Sequence, residues 1–576
     1  MLLFLVALLI WLPALAGWSL PWAWLRARLG GPGPAHLDSG DGVAALAILA
    51  GGGVLLNFVW PLNATVSLSA VALGWLLAGW RWRLAGWARP TLKFSLLAGA
   101  AVLLAALLAN FPPDALDSGL YHLQGIAWAE SYPAPFGLAN LHGRLAFNTT
   151  TAPLAALTQL VLWDNTPTAN RFLLGALFVC IYLAELLAAW RRPAPGSRRA
   201  TIFLTLGAVV VCSTSVWSTR LAVSINSPNS DWPILVLTLL ALALTLRALD
   251  EPAAVNEALA GTTLIAALAL TIKLSALPLV GLPLALVVYA RRGPGHVAYR
   301  PLGALALAAG LGLGLPWLAR SLVLSGCLAY PVPFTCLPAL PWTVAPAGAL
   351  SEAKWIVSWA RMPGPNLAIT LHGWGWLPSW WASFIRDPLV IGAAAVGLWG
   401  LASACLAGGR GARPKDGLSA LVVDVPLLVG LAAWFFSAPD VRFAAGYLWG
   451  AALVAAAGGW QRLSRATRQG AARWLWWAGL GLAALGGLWL TGRQATRTAE
   501  YFTQVGPAAY VFAWPAVFQP PINARFTLHG DEVAVPADRD ECWLTPPPCT
   551  PYFNEYLQID YDPSGAPRRF SIAPAP

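Results

Sequence analysis

Residues 93–148 read KFSLLAGAAVLLAALLANFPPDALDSGLYHLQGIAWAESYPAPFGLANLHGRLAFN. The apolar run over 93–111 is long enough to cross a membrane as a helix. Two acids, Asp114 and Asp117, follow it within a few residues, and a polar group lies further along at 140–148. Ionisable groups are costly beside a bilayer and are usually kept there for a function. The stretch therefore predicts a transmembrane helix and, directly after it, a loop that carries a functional site.

The composition extends this interpretation to the whole chain. Apolar residues make up 58% and charged residues 11% of the 576 residues. Soluble domains contain roughly 25% charged residues. The net charge of +11 does not indicate nucleic-acid binding, because Lys and Arg occur in short clusters between apolar runs, as they do in the loops of membrane proteins. We predict an all-α polytopic membrane protein with no nucleic-acid partner.

The apolar runs predict about 14 transmembrane helices. They cover residues 2–20, 43–60, 66–80, 93–111, 170–190, 201–218, 231–249, 258–276, 277–290, 301–318, 388–407, 419–437, 443–460 and 474–491. Basic clusters follow alternate runs, at Arg26 and Arg28; Arg81, Arg83 and Arg89; Arg191, Arg192, Arg198 and Arg199; Arg291 and Arg292; Arg410, Arg413 and Lys415; and Arg462, Arg465, Arg468 and Arg473. Such clusters mark cytoplasmic loops, so the loops 112–169 and 320–387 and the tail 492–576 are expected outside. No Lys or Arg precedes the first run, which we interpret as an uncleaved span and not as a secretory signal.

The seven cysteines support the same topology. Three of them fall within predicted spans, namely Cys180, Cys212 and Cys405. The other four lie in regions expected outside, namely Cys327, Cys336, Cys542 and Cys549. An even number of cysteines on an oxidising side predicts two small disulfide loops. A zinc site built from these four is the alternative, although their spacing is short and no His lies nearby.

The loop after the fourth run contains two short helical patterns. Residues 118–131 have apolar side chains at helical spacing, with Tyr121 and Trp128 alongside, which predicts a helix lying in the membrane interface. The Pro133–Gly137 segment ends it. Residues 151–163 form a second apolar run that is too short to span a bilayer, so we expect a second surface helix there.

This plan resembles the GT-C superfamily of polytopic glycosyltransferases, which includes protein O-mannosyltransferases, oligosaccharyltransferases and the aminoarabinose transferase of lipid A. In the mannosyltransferase-like branch, the first outer loop has an acid-x-x-x-Tyr motif, an amphipathic helix, a Pro/Gly turn and a basic-Pro-Pro-Leu element that opens a second helix. The corresponding residues here are Asp117-Ser-Gly-Leu-Tyr121, Pro133–Gly137, Arg144–Asn148 and Pro153-Leu154. The last element lacks the Lys-Pro-Pro triplet. The chain is also similar to a group of large bacterial membrane proteins with patterns like GLANLHGRLAFN, KLSALP and SAPDVRFAAG.

The resemblance covers about residues 93–491. It implies a GT-C-like bundle with juxtamembrane helices in the first outer loop, additional N-terminal transmembrane helices over 1–92, and a small extracytoplasmic tail over 492–576. It also implies a bacterial cytoplasmic membrane location. The expected activity is transfer of a hexose or pentose from a polyprenyl-phosphate carrier to an acceptor on the outer face, where the acceptor is a glycan, a lipid or a protein.

Such a reaction needs a carboxylate that takes or positions the acceptor's proton, and cations that stabilise the phosphate leaving group. Asp117 is the first candidate for the base and Asp114 the second. Asp114 is alternatively a ligand for a divalent metal, which part of the superfamily requires. Asp117 followed by Ser118 ahead of a helix is equally an N-cap signal, and one residue can serve both purposes.

The candidate substrate-binding residues are polar groups near the outer ends of spans or in the first loop. They are Tyr121, His122, His142, Arg144, Asn148, Lys273, Arg320 and Arg442. A cation at such depth is a suitable partner for a phosphate. Four of them have an alternative role: Lys273 could extend its amine to the interface, Arg442 could pair with Asp440, and the two histidines could form interfacial hydrogen bonds.

Two other functions remain open at this point. A transporter or flippase for a lipid-linked saccharide would also have many spans and outer cations. It should contain two repeated halves with broken helices, and the sequence shows no sustained repeat. A non-catalytic subunit of a membrane complex would keep the fold without needing an acid in the first loop.

Overall fold

The computed structural model of the chain describes residues 1–573 except 32, 35, 86–90, 114, 161–172, 192–197, 218–224, 293–296, 365, 407–415, 467–491 and 494. This part of the chain is mostly helical. The first ten α-helices are α1 (Leu2–Trp18), α2 (Leu20–Arg28), α3 (Ser39–Asn57), α4 (Ala64–Ala85), α5 (Leu92–Ala109), α6 (Leu123–Ser131), α7 (Thr151–Thr158), α8 (Leu173–Arg191), α9 (Arg198–Trp217) and α10 (Asp231–Asp250). The next ten are α11 (Val255–Ile272), α12 (Gly281–Arg292), α13 (Tyr299–Ala309), α14 (Leu315–Ser325), α15 (Pro346–Arg361), α16 (Leu367–Thr370), α17 (Leu377–Phe384), α18 (Pro388–Leu406), α19 (Asp416–Ser437) and α20 (Val441–Ala466).

Ten helical segments of the described chain are long and apolar enough to cross a membrane. They are Ser39–Asn57, Leu92–Ala109, Leu173–Arg191, Asp231–Asp250, Pro252–Ile272, Leu274–Arg292, Tyr299–Ser325, Pro388–Cys405, Ala420–Ser437 and Val441–Leu463. The bent pair α1 and α2, with 45° between the two helices, makes an eleventh if it is a single span. The protein is thus a multi-pass membrane protein by length and composition.

The predicted count of about 14 spans is not confirmed. The predicted spans 66–80 and 201–218 form α4 and α9, but neither helix is among the ten. The predicted span 474–491 lies outside the described residues.

The candidate spans differ in the share of their residues that is buried within the protein. The segments Leu173–Arg191, Asp231–Asp250 and Pro252–Ile272 are 83%, 89% and 78% buried within the protein. By contrast, Leu92–Ala109 is 22% and Tyr299–Ser325 is 17% buried. Because the peripheral helices are equally apolar, their exposed faces are suited to contact with lipid.

The two short helices expected in the first loop are present, with one difference. The first begins as a wide π-helical turn, Ser118–His122, and continues as α6. The second, α7, is buried along its whole length. Both pack against each other, and α7 also packs against α3 and α4. They therefore lie beneath neighbouring helices instead of lying exposed on a surface, because their apolar residues find partners on all sides within the protein.

The tail forms two small antiparallel sheets. Strands β1 (Ile522–Phe526) and β2 (Glu532–Pro536) form one, and β3 (Leu557–Tyr561) and β4 (Pro567–Ile572) form the other. The two predicted disulfides are present, between Cys327 and Cys336 and between Cys542 and Cys549. The tail is held to the first loop by backbone hydrogen bonds, in which Phe136 donates to Arg568 and accepts from Phe570.

Different parts of the chain meet the two ends of α5. At its end, Asn110 accepts a hydrogen bond from the Met1 nitrogen at 2.8 Å, and the same nitrogen contacts the backbone of the tail at Tyr510. At its start, the Arg191 guanidinium from a basic cluster lies over the ring of Phe94. The start of the first loop and part of the tail therefore lie at one end of α5, and Arg191 lies at the other.

Candidate functional site

A cavity of about 1480 Å³ lies where the first loop meets the later helices. Its walls come from the start of the first loop, from the 3-10 turn Leu274–Val280 and from α15, α17, α19 and α20. The charged residues that line it are Asp117, Arg144, Asp231, Lys273, Arg361, Asp387, Asp440, Arg442 and Asp540. Four of the predicted site residues, Asp117, Arg144, Lys273 and Arg442, are therefore brought together, although they are far apart in sequence.

Asp117 lies in this cavity, just before the π-helical turn. Its carboxylate accepts a hydrogen bond from Arg442 at 2.6 Å and is 3.7 Å from the guanidinium of Arg144. Burial of Asp117 favours the neutral acid, but the charges of Arg442 and Arg144 outweigh this effect and lower the pKa of the carboxyl. Asp117 therefore carries a negative charge that two arginines share.

The N-cap interpretation of Asp117 is not supported by the geometry. Asp117 occupies the N-cap position of the π-helical turn, but its side chain makes no capping hydrogen bond. Its backbone is also helical, with φ −60° and ψ −23°, whereas an N-cap residue is usually extended. The carboxylate is directed to the arginines instead.

The two arginines extend the contact into a line of alternating charges. Arg144 also lies 3.3 Å from Glu352 of α15, and Arg442 lies 3.4 Å from Asp440. The line Glu352, Arg144, Asp117, Arg442, Asp440 joins the first loop to α15 and α20. The local pair between Arg442 and Asp440 that the sequence left open is thus present together with the contact to Asp117.

Lys273 faces the same cavity from the junction between α11 and the following 3-10 turn. Its amine forms an ion pair with Asp231 and lies 3.8 Å from the centre of the Phe443 ring. Asp231 was not among the residues predicted from the sequence. A signal was present, because Asp231 begins the apolar run 231–249 and is thus, like Asp117, an acid next to the end of an apolar run.

Arg361 lines the cavity at the end of α15. One nitrogen of its guanidinium donates to the Thr370 carbonyl at 2.6 Å, and the group lies 4.8 Å from the centre of the Trp376 ring. Its Nε is buried without a hydrogen-bond partner. Arg361 has no carboxylate within ion-pair distance among the described residues, unlike the other three cations of the cavity.

Tyr121 and His122 follow Asp117 by one helical turn and also line the cavity. The Tyr121 ring packs against the rings of His122 and Phe147, and the Arg144 guanidinium lies 5.8 Å from its centre. Burial lowers the pKa of His122 to about 4, despite the opposing effect of Asp117. His122 is therefore neutral at physiological pH and is suited to hydrogen bonding, not to charge stabilisation.

Three predicted substrate-binding residues do not line the cavity. Asn148 exchanges two hydrogen bonds with Trp317, and Arg320 donates to the Asn148 side chain at 3.0 Å. His142 is buried against the ring of Tyr552. All three join the first loop to its neighbours, a role that a sequence does not reveal because the partners come from distant segments. Asp114, the second candidate base, lies outside the described residues.

One side of the cavity is aromatic and apolar. Tryptophans from α15, α17 and α19 line it, namely Trp355, Trp359, Trp380 and Trp434. Leu277, Leu284 and Val429 also line it, and each is more than half exposed. The cavity therefore has an apolar face, formed by the 3-10 turn Leu274–Val280, α12 and α19, that is suited to contact with an apolar chain.

The tail also contributes residues to the lining of the cavity. Asp540 and Tyr552 line the cavity beside Arg144. The segment 542–549, which is closed by its disulfide, is hydrogen-bonded to α6. The Gln124 amide of α6 donates to the carbonyls of Trp543 at 3.0 Å and Thr545 at 2.7 Å. The tail therefore forms part of the site, a role that was not predicted from the sequence.

A divalent metal was one expectation for this region. Within the described part of the chain, no three His, Cys, Asp or Glu side chains are grouped so that they could hold a metal ion. Asp114, for which the metal role was considered, is not among these residues.

The two buried histidines predict an acid-labile fold. Burial lowers the pKa of His122 to about 4 and that of His142 to about 3, whereas an unfolded histidine titrates near 6.5. Below pH 6.5 the unfolded chain binds protons that the folded protein does not, so stability should fall by about 1.4 kcal/mol per pH unit for each histidine until about pH 4. Because other buried groups titrate in the same pH range, the contribution of a histidine is the difference between the slopes of the wild type and of a variant that lacks it, measured by unfolding across pH 4–7.

His142→Asn should make the slope shallower. The control is His529→Asn, because His529 is exposed in the folded protein and its imidazole is solvated in both states. An identical slope in the wild type and the His142→Asn variant would contradict the prediction.

The chain belongs to the family described as "Domain of unknown function (DUF8201)", whose model matches residues 1–449. The match contains Asp117, Lys273, Arg361 and Arg442 and ends within α20, so it does not include the tail. No curated protein and no solved structure matches the chain.

Proposed function

We propose that the protein is a membrane glycosyltransferase that moves a sugar from a polyprenyl-phosphate carrier to an acceptor on the outer face of a bacterial cytoplasmic membrane. The cavity is the observation that carries this proposal. It combines an ionised carboxylate, Asp117, with several cations and with an apolar side, which we expect to face lipid. A polyprenyl-phosphate sugar has matching parts: an apolar chain, an anionic phosphate and a polar sugar.

The reaction uses these groups as follows. An acceptor hydroxyl oxygen attacks C1 of the sugar while the bond between C1 and the phosphate oxygen breaks. The hydroxyl proton passes to Asp117, and the electron pair of the broken bond stays on the phosphate. Arg442 and Lys273 stabilise the charge that develops there.

The contact between Asp117 and Arg442 bears directly on this step. The arginine keeps Asp117 ionised, but it also lowers the pKa of the carboxyl and so weakens it as a base. Charge that builds on the departing phosphate competes with Asp117 for Arg442. As that guanidinium turns to the phosphate, the pKa of Asp117 rises towards its ordinary range, and the carboxylate becomes a better proton acceptor during transfer.

An assay on membranes tests the proposal against its alternatives. Membranes containing the protein should transfer labelled sugar from a polyprenyl-phosphate pool to a new glycosidic linkage. A flippase would move the label across the bilayer without forming a new linkage, and a non-catalytic subunit would do neither alone. Absence of any new linkage in the presence of the protein would remove the glycosyltransferase proposal.

The proposal also requires the cavity to be on the outer side. Phe334→Cys should react with an impermeant thiol reagent added outside, because Phe334 is 90% exposed within the Cys327–Cys336 loop. The native disulfide cysteines are buried and would report poorly even after reduction. Arg292→Cys, at the exposed basic end of α12, is the control and should react only after the inner face is opened. The reverse pattern would contradict the topology.

A further inference from the structure

The charges of the cavity are distributed unevenly. Three of its cations are already matched: Arg144 by Asp117 and Glu352, Arg442 by Asp117 and Asp440, and Lys273 by Asp231. An added anion near these groups would meet four carboxylates and only three cations. Asp387 and Asp540 add further negative charge to the lining.

Arg361 is the exception among the cations of the described lining. Its guanidinium is oriented by the Thr370 carbonyl on one nitrogen and by the Trp376 ring on one face. Trp376 is fully buried, and Thr370 is fixed by a hydrogen bond between its hydroxyl and that of Ser358. Two neighbours thus hold the guanidinium in place, while its Nε is buried without a partner and no described residue accepts a hydrogen bond from its second terminal nitrogen.

We propose that Arg361 is the residue that anchors a phosphate group in this cavity, before any reaction begins. A guanidinium presents paired N–H donors that match two phosphate oxygens, and its planar face tolerates the surrounding aromatic wall of Trp359 and Trp376. The inference rests on the proposed function in one respect, namely that the phosphate is carried by a lipid. Arg442 and Lys273 then act later, when the bond to the phosphate breaks.

Binding of simple probes tests the proposal without any transfer assay. The probes are farnesyl phosphate, farnesol and inorganic phosphate, and the readout is the shift of the unfolding temperature of the purified full-length protein in detergent. Farnesyl phosphate should stabilise the wild-type protein more than farnesol does. Arg361→Gln should weaken farnesyl phosphate binding about tenfold or more, because charge-assisted hydrogen bonds to the phosphate are lost. Stabilisation by farnesol should be unchanged.

Two further variants keep the test decisive. Arg361→Lys preserves the charge but not the paired donors, so it should retain part of the phosphate-dependent stabilisation. Arg386→Gln is the matched control, because Arg386 lies on the same side of the protein, is exposed and does not line the cavity. It should bind farnesyl phosphate like the wild type.

The outcomes separate this inference from the proposed function. Farnesyl phosphate binding that is equal in wild type and Arg361→Gln would overturn the anchoring role, whatever the transfer assay shows. Stabilisation by inorganic phosphate alone, lost in Arg361→Gln, would support an anion site and would argue against a lipid-borne ligand. Phosphate-dependent binding through Arg361 together with no transfer by the wild type would support the anion site and remove glycosyl transfer.

Discussion

Replacing Asp117 by Asn is expected to reduce sugar transfer by roughly a hundredfold or more, because a general base of this kind contributes at least that much to the rate. The change keeps the size of the side chain and its ability to accept a hydrogen bond from Arg442. It removes the charge and the proton-accepting oxygen. Transfer from a polyprenyl-phosphate sugar pool, measured in membranes with equal amounts of each protein, gives the result.

Asp117 also joins the first loop to α20 through Arg442, so a structural role must be separated from a catalytic one. A structural role predicts a lower unfolding temperature together with the loss of activity. A catalytic role predicts a large loss of activity with a stability change of only about 1–2 kcal/mol. Unfolding of the same preparations should therefore accompany the transfer assay.

Asp560→Asn is a matched control for this experiment. Asp560 also pairs with an arginine, Arg569, but it does so in the β3–β4 sheet and not in the cavity. The same chemical change should leave transfer within about twofold of the wild type, because an exposed ion pair contributes little. Undiminished transfer by the Asp117→Asn protein would show that this carboxylate is not the base.

The convergence of Asp117, Lys273 and Arg442 could be predicted from the sequence because all three lie near the ends of apolar runs. The length of a span determines the depth of its ends in the membrane, so residues at the outer ends of different spans share one level. The sequence did not determine which ends are neighbours. That arrangement depends on the packing of α10, α11 and α20, whose partners are distant in the chain.

Other parts of the site depend on tertiary contacts that leave no local pattern. Arg361 is one of several cations in regions that the sequence places outside, and only the structure shows that no carboxylate of the described residues lies within ion-pair distance of it. Arg320 and Asn148 looked like site residues because they are polar and near a span, yet they hydrogen-bond to each other outside the cavity. The same reasoning explains α7, whose apolar residues predicted a surface helix although every one of them is buried.

The contribution of the tail is the clearest of these cases. It was expected only as a small extracytoplasmic tail, but it lines part of the cavity and is hydrogen-bonded to the segment that follows Asp117. The contact is tight at Gly119, whose carbonyl accepts a hydrogen bond from the Trp543 nitrogen at 2.8 Å. A Cβ at Gly119 would lie 2.4 Å from an atom of the Trp543 ring, so only glycine fits beneath it.

Gly119→Ala should therefore have a large effect although it touches no substrate. The new methyl group must displace the Trp543 ring or the π-helical turn, at a cost of about 1–3 kcal/mol of stability. Asp117 precedes this position by two residues and Tyr121 follows it by two. Because a shift of about 1 Å in a catalytic group can lower the rate about a hundredfold, transfer should fall by up to that factor. Transfer assays and unfolding curves on the same preparations measure both effects.

Gly125→Ala is the control that separates this contact from a general intolerance of α6 to change. A Cβ at Gly125 would lie 3.7 Å from the Cβ of Ala152, which is ordinary van der Waals contact, so stability and transfer should stay near wild type. Trp543→Leu provides the second check, because a smaller side chain makes room for the methyl group. The double variant should then be less impaired than the two single effects combined. Strictly additive losses would mean that Gly119 and Trp543 do not act through one contact, and the tail would lose its role in positioning Asp117.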